Sequence, residues 1–404
     1  MIEKIIKHKL LLISIHILIG FLATFRWFPK PYTFVIIIAF AVAIVAYKNK
    51  NEAAFLFAAY ISAAEVFIRM TKGFILYETG KYAVIFFLLL GIFNGQYKQK
   101  FATQYVFYIM LLMLGIVFTQ VPEGESLRKA IIFNLSGPIV LGVAAFYFYK
   151  RPIIKKDLMN SLFMMILPLI SMVTYLYFRT PDLKEIVFGG TANFEASGGF
   201  GPNQVATAIG LGIFIISILM IMKEKITGYV FLDALLLIYF IYRGLLTFSR
   251  GGILTGVIAL VVFALFYSLH SKGALKLLLK YGFTAIIFTS AIWVYTSGAT
   301  GGMLSNRYAG KNAAGVQKED ISSGRIAILE TQVKNFFVNP VGIGVGNGKY
   351  KRITSGEHVT AASHNEVGRL IEEHGVIGGI ILLLLLTVPL FSFFNGTNYQ
   401  RGFL

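Results

Sequence analysis

Phe248-Ser249-Arg250-Gly251-Gly252 runs straight into Ile253-Leu254-Thr255-Gly256-Val257-Ile258-Ala259-Leu260-Val261-Val262-Phe263-Ala264-Leu265-Phe266, and this stretch decides the fold class. Its apolar part suits a helix of about 20 residues, the length that crosses a bilayer. Comparable runs recur near 9–25, 32–47, 53–70, 82–95, 101–119, 130–149, 158–178, 203–222, 227–247, 251–269, 281–297 and 367–394. They predict an all-α integral membrane protein with about twelve transmembrane helices. Composition agrees. Hydrophobic residues are 56% and charged residues 14%, with a mean hydropathy of +0.72, which excludes an ordinary soluble domain.

The formal charge of +18 could suggest nucleic acid, but its distribution argues for topology instead. Lys48 and Lys50, Lys98 and Lys100, Lys150 to Lys156, Lys223 and Lys225, and Lys272 to Lys280 fall in alternate short connections. The positive-inside rule places those connections and both termini in the cytoplasm, with no nucleic-acid partner implied. Lys4, Lys7 and Lys9 precede the first run as in a signal peptide. No small-x-small cleavage site follows before Arg26, so the run reads as a retained anchor. The lack of cysteine excludes disulfides and thiolate metal sites.

With the N-terminus inside, even-numbered spans start on the outer face, and the long connection 298–366 becomes an external, periplasmic loop. Ile326, Leu329, Val333, Phe336 and Phe337 form one apolar stripe over about 325–338, ended by Pro340. That pattern predicts an amphipathic helix along the membrane surface. The chain divides into N-terminal transmembrane helices (1–200) and a catalytic region (201–404) that includes the loop. No internal repeat is visible, which counts against an inverted-repeat transporter.

Polar motifs cluster at predicted outer helix starts. Pro202 suits a first helical turn and Asn203 follows it; Ser249 can cap the helix that Arg250 opens. A cation there faces the positive end of the macrodipole, an arrangement that becomes favourable when a doubly charged anion sits between Arg250 and the free N–H groups. The bland alternative is an arginine reaching for lipid headgroups. Ser322-Ser323-Gly324-Arg325 repeats the pattern, against the alternative of a solvated loop charge. Gly251 and Gly252 suggest close backbone approach.

Arg307 could contact substrate or be ordinary loop charge, and Arg243, inside a span, should face the interior or a cavity. Ser363-His364-Asn365 introduces the last span. The imidazole of His364 can take a proton from a hydroxyl near neutral pH, unless it only caps or packs. His358 is a fallback base and His16 a packing or hydrogen-bonding residue. Gly342, Gly344, Gly346 and Gly348 alternate, as a tight turn or as a backbone lining for substrate, but they lack the frame of a nucleotide loop. Glu65 and Arg69 are spaced to satisfy each other, and Arg369 has Glu366, Glu372 and Glu373 within helical reach.

Together, Gly201-Pro202-Asn203-Gln204, Ser249-Arg250-Gly251-Gly252, Ser323-Gly324-Arg325, Pro340 with its glycines, and His364-Asn365 resemble the bacterial O-antigen ligase and O-antigen polymerase superfamily. The motifs cover about the second half of the chain. The resemblance implies an inner-membrane glycosyltransferase with its site facing the periplasm. It would take a glycan from a polyprenyl-diphosphate carrier to a hydroxyl of lipid A–core, without nucleotide, cofactor or metal. By the same likeness Arg250 and Arg325 bind the donor diphosphate and His364 activates the acceptor. Asn203, Arg243, Ser249, Gly251, Arg307 and Asn365 are the candidate substrate contacts. Glu366 after His364-Asn365 departs from the family pattern, where an apolar or aromatic residue is common. A polymerase extending the lipid-linked glycan is the alternative, and a lipid-linked glycan flippase the rival of another class.

Overall fold

A computed structural model describes residues 6–182, 185–189, 191–270, 274–318, 320, 322, 324–354, 363 and 365–397. His364, His358 and Ser323 lie outside the described residues. The chain is helical for 73% of its length, with no strand among the described residues. The helices are α1 (Lys9–Leu22), α2 (Pro29–Ala46), α3 (Ala53–Met70), α4 (Thr79–Asn94), α5 (Thr103–Leu114), α6 (Leu127–Phe148), α7 (Lys155–Arg179), α8 (Pro202–Ile221), α9 (Val230–Leu246), α10 (Arg250–His270), α11 (Ala274–Ala299), α12 (Met303–Tyr308), α13 (Arg325–Val338), α14 (Asn347–Thr354), α15 (Glu366–His374) and α16 (Val376–Asn395).

Seven helices among the described residues are long and apolar enough to cross a membrane, fewer than the twelve expected. The shortfall has local causes. The runs near 9–25 and 82–95 form helices of only 14 and 16 residues. The run at 101–119 gives 12 residues and tightens into a 3-10 turn at Gly115–Phe118. The run at 227–247 forms a helix of 17 residues. The final run breaks at Gly375 (φ 61, ψ −138), a conformation only glycine adopts cheaply, and still spans as α16. The chain is a multi-pass membrane protein.

Two compact units divide it: Met1–Gln96 with Ile153–Lys318 and Gly396–Leu404, and Tyr97–Pro152 with Glu319–Asn395. In the first, α3 packs against α7 and α4, α1 lies on α7, and α8 packs on α10 and α9. A Cβ at Gly20 would collide with the Ser171 carbonyl, so α1 reaches α7 backbone to backbone. His16 is buried there, with Nε2 2.9 Å from the Tyr60 hydroxyl and Nδ1 2.7 Å from the Leu12 carbonyl. Arg69 donates to the Tyr77 hydroxyl (3.1 Å) and lies over the Tyr77 and Phe200 rings, while its charge still acts on Glu65.

In the second unit, α5 packs on α6 and α16, and α15 joins α13, α14 and α16. Its core is Tyr108, Leu112, Leu135, Val345, Leu370 and Ile381.

Candidate functional site

Helices α8 and α10 of the first unit cross through glycine. A Cβ at Gly252 would strike the backbone N of Thr207, one at Gly210 would strike the Gly252 carbonyl, and one at Gly256 would sit 2.5 Å from the Gly210 carbonyl. Gly252 and Gly256 are four residues apart, so both face α8. This is how apolar helices gain packing when side-chain hydrophobicity offers no driving force. Gly251 has nothing within 4 Å of its Cβ position. One glycine of the pair packs and the other is open. The crossing sets the start of α10 beside the start of α8, where the Ser249 hydroxyl donates to Asn203 Oδ1 at 2.7 Å.

Only Thr247, Phe248 and Ser249 join α9 to α10. Phe248 sits at φ 55, a left-handed conformation that strains a bulky L-residue by about 1–2 kcal/mol. Its surroundings over-determine it. The ring is fully buried and stacks on Phe188 at 4.9 Å, and its carbonyl accepts from Arg307 Nε at 3.1 Å. The Thr247 carbonyl accepts from Asn193 N (2.9 Å), and the Thr247 hydroxyl accepts from Ser249 N (3.2 Å). Strain held in this way gathers at functional sites.

Arg307 lies in the last turn of α12. The chain then turns through an antiparallel bridge between Lys311 and Gln317, and Lys318 N donates to the Gly310 carbonyl at 3.0 Å. This returns Lys318 toward Arg307 and Arg250. Burial and the positive charge of those two arginines push its amine below the usual lysine range. Tyr308, edge-on to Trp293 at 4.8 Å, is raised by burial against the pull of Arg250 and Arg307. Crowded like charges disfavour one another and gain when a dianion enters.

Sequence reasoning missed Lys318. The available signal was the turn chemistry of Asn312 and Gly315 (φ 79), which folds the chain back.

Arg243 is buried, and Nη2 donates to Thr180 Oγ1 (2.6 Å), the Ala196 carbonyl (3.2 Å) and the Leu176 carbonyl (3.4 Å). It braces the end of α7 and the loop before α8 onto α9. Its buried Nε has no hydrogen-bond partner.

In the second unit Arg325 is the exposed first residue of α13. The turn before it already holds a carboxylate. Asp320 accepts from Ser322 N (2.7 Å), the Ser322 hydroxyl (2.5 Å) and Gly324 N (2.5 Å). Helix α13 buries Ile328 and Gln332 and exposes Ile326, Leu329, Val333 and Phe337, most of its predicted stripe. Asn365 caps α15, accepting from Val367 N (3.1 Å) and Gly368 N (3.3 Å).

The alternating glycines form a packed strap. Gly342, Gly344 and Gly346 all have positive φ (98, 89 and 77). A Cβ on them would collide with the backbone of Glu373 and of Phe118, or lie 2.9 Å from Asn134 Nδ2. Ile343 N and Gly344 N donate to the carbonyls of Glu372 and Glu373.

Beneath the strap lies a buried charged lattice. Arg352 Nη1 donates to Glu372 at 3.2 and 3.3 Å, and Glu372 also accepts from Gln332 (3.2 Å) and Asn335 (2.8 Å). Arg369 binds Glu366 and, at 2.9 Å, Glu373, whose other oxygen accepts from Gly346 N (2.9 Å). Against burial, the carboxylates of Glu373 and Glu366 hold the Arg369 guanidinium above its ordinary value. Burial pushes the Glu373 carboxyl up to about 7, opposed by Arg369 and the Gly346 N–H and helped by Glu372 and Glu366. His374 is lowered to about 4 by burial and then by the charge of Arg369, and neither ring nitrogen has a hydrogen-bond partner. The helical spacing foretold the Arg369 pairs. Glu372 goes instead to Arg352, a partner 20 residues away that no local pattern reveals.

Residues 234–383 match the family model for O-Antigen ligase, a span that holds every candidate residue except Asn203. The match supports the O-antigen ligase and polymerase superfamily. No curated protein and no solved structure matches the chain.

Proposed function

We propose, on the premise that residues 234–383 form an O-antigen ligase-type region, that this protein transfers a glycan from a polyprenyl-diphosphate carrier to an acceptor hydroxyl. The acceptor is lipid A–core, and the reaction runs at the periplasmic face of the inner membrane. One observation carries the reading: the strained turn at Phe248 presents Arg250 where Arg307 and Lys318 crowd it.

In the reaction the bond from the anomeric carbon to the diphosphate oxygen breaks while the acceptor oxygen attacks. Negative charge grows on the leaving diphosphate, and Arg250, Arg307 and Lys318 answer it. Preorganised donors of this kind contribute about 3–4 kcal/mol each. The family likeness assigns Arg325 the same task and His364 the acceptor proton. A single displacement inverts the anomeric carbon. Gly251 leaves backbone open to the substrate, while Asn203 and Ser249 hold the turn. Arg243 is a positioning residue that braces α9. Asn365 fixes the start of α15 directly after His364.

The test is reconstitution in vesicles with labelled lipid-linked glycan extracted from the producing cells, offered with lipid A–core and with unlabelled lipid-linked glycan. Product masses give the outcome. Glycosylated lipid A–core supports the ligase; longer lipid-linked chains replace it with a polymerase. Labelled glycan that crosses the bilayer with no new glycosidic bond overturns the reading in favour of a flippase.

A further inference from the structure

Helix α2 buries only Pro29, Thr33 and Ile44, so most of its length is open to lipid. Where it packs along α4, an open groove of about 350 Å³ runs between the two helices. Ala41, Val42, Val45 and Ala46 form one wall, Phe86 and Leu90 the other, and every lining side chain is apolar.

The groove ends at a basic turn. Lys48 N donates to the Val45 carbonyl at 3.1 Å and Asn49 N to the Ile44 carbonyl at 2.9 Å, so the chain folds back over the last turn of α2 as it leaves the groove. Lys48, Asn49, Asn51 and Glu52 all take left-handed φ (49, 51, 57 and 52), which asparagine tolerates and lysine and glutamate disfavour. Buried Asn49 holds this shape. Its Oδ1 accepts from Ala54 N at 2.8 Å, in the first turn of α3, and its Nδ2 donates to the Gly91 carbonyl at 3.3 Å, one residue beyond Leu90 in α4. One side chain thus ties α2, α3 and α4 together at the mouth of the groove. Lys48 and Lys50 are exposed there, against one carboxylate in the turn, Glu52.

Lysines anywhere in this connection would serve topology, and any apolar surface would serve bulk lipid. An apolar slot ending at a braced, exposed pair of cations suits an amphiphile with a negative head. Its acyl chain lies along the slot and its phosphate sits at the mouth. A second copy is a poor occupant: two copies paired in one membrane through this face would bring their lysines together, like charge against like.

We propose that the α2–α4 groove, with Lys48 and Lys50 at its mouth, binds one anionic phospholipid. The inference does not depend on the transfer reaction.

The chain has no cysteine, so a single fluorophore can be placed at will. The full chain carrying a bimane at Ile38→Cys, one turn from Val42 and outside the lining, is set in phosphatidylcholine nanodiscs. Phosphatidylglycerol or phosphatidylcholine bearing a nitroxide on its acyl chain is then added in rising mole fraction. Each lysine near an anionic headgroup favours it about fivefold, so phosphatidylglycerol should reach half-maximal quenching at a mole fraction about 5- to 30-fold lower. Lys48→Gln/Lys50→Gln should remove most of that difference. Ala46→Leu fills the slot, keeps both lysines and should remove it too. A bimane at Val261→Cys, on the exposed face of α10, should be quenched equally by both lipids. All variants are first checked for the parental melting midpoint, and one that melts early is replaced by Lys48→Ala/Lys50→Ala or Ala41→Leu. Equal quenching by the two lipids at position 38 overturns the proposal. So does a preference that survives loss of the lysines or filling of the slot, or one that is matched at position 261. Protection of position 38 from both lipids, with a doubled particle mass, shows a second copy in the groove and overturns it as well.

Discussion

The head of α10 and the body of α15 treat positive charge in opposite ways. Around α10 the cations Arg250, Arg307 and Lys318 press on one another, and the lysine is held below its ordinary range. Along α15 each arginine meets carboxylates, and Arg369 is held above its ordinary value. Glycine serves both places but toward different ends. At α10 it lets two backbones touch so that a turn is carried at a fixed spot. At α15 it lets a strap lie flat on a charged helix. The arginine of α15 is matched by carboxylates, whereas near α10 two arginines lower a neighbouring lysine. On the proposed reading, the binding part of the chemistry belongs to the first.

The most drastic way to break this contrast is Arg250→Ala. Loss of about 3–4 kcal/mol of charge stabilisation lowers kcat by two to three orders of magnitude. Arg250→Lys recovers little, because a point charge lacks the planar fork. Full turnover by the alanine variant, measured by product mass, would remove the crowded cations from the reaction.

The two glycines give a sharper and smaller separation. Gly252→Ala forces a methyl into the Thr207 backbone and is expected to destabilise by about 1–3 kcal/mol, visible as an earlier melt. Gly251→Ala meets no neighbour and keeps the parental melt, while its rate falls if that backbone approaches substrate. Equal melts for the two variants would contradict the glycine crossing.

The last effect concerns pH. Glu373 has its folded pKa raised to about 7 from an ordinary 4.5, so the folded state holds the proton more tightly. Its contribution to stability is full below about 4.5 and is lost as pH climbs through 7. His374, lowered to about 4 from 6.5, works the other way, with stability gained as pH rises from 4 toward 6.5. Each slope is at most about 1.4 kcal/mol per pH unit, and they oppose each other across the shared window. Glu373→Gln should melt with a midpoint that climbs from pH 4.5 to 7 relative to the parent. A flat difference curve over that range would show that Glu373 is already ionised in the folded protein.

Local periodicity made much of the fold legible. The apolar stripe at 325–338 became α13 with those bounds, and the serine before Arg250 stands where a helix begins. The span count was less legible, because hydropathy does not register that the runs at 9–25 and 82–95 close into short helices or that 101–119 tightens into a 3-10 turn. A cation at a helix start singled out Arg250, and Arg307 entered as a loop cation. Lys318 escaped because its return depends on one bridge between Lys311 and Gln317. Arg352 escaped because its partner Glu372 is set by tertiary packing, which no periodicity records. Helical spacing put Arg69 within reach of Glu65, but its contacts with the Tyr77 and Phe200 rings are tertiary and left no local pattern.

Helix α13 seals Ile328 and Gln332 within and turns Ile326, Leu329, Val333, Phe337 and Val338 outward. In an oily medium that is a foothold; in plain buffer it is an adhesive. Preparations stripped of detergent are expected to clump through strips such as this one and the exposed face of α16.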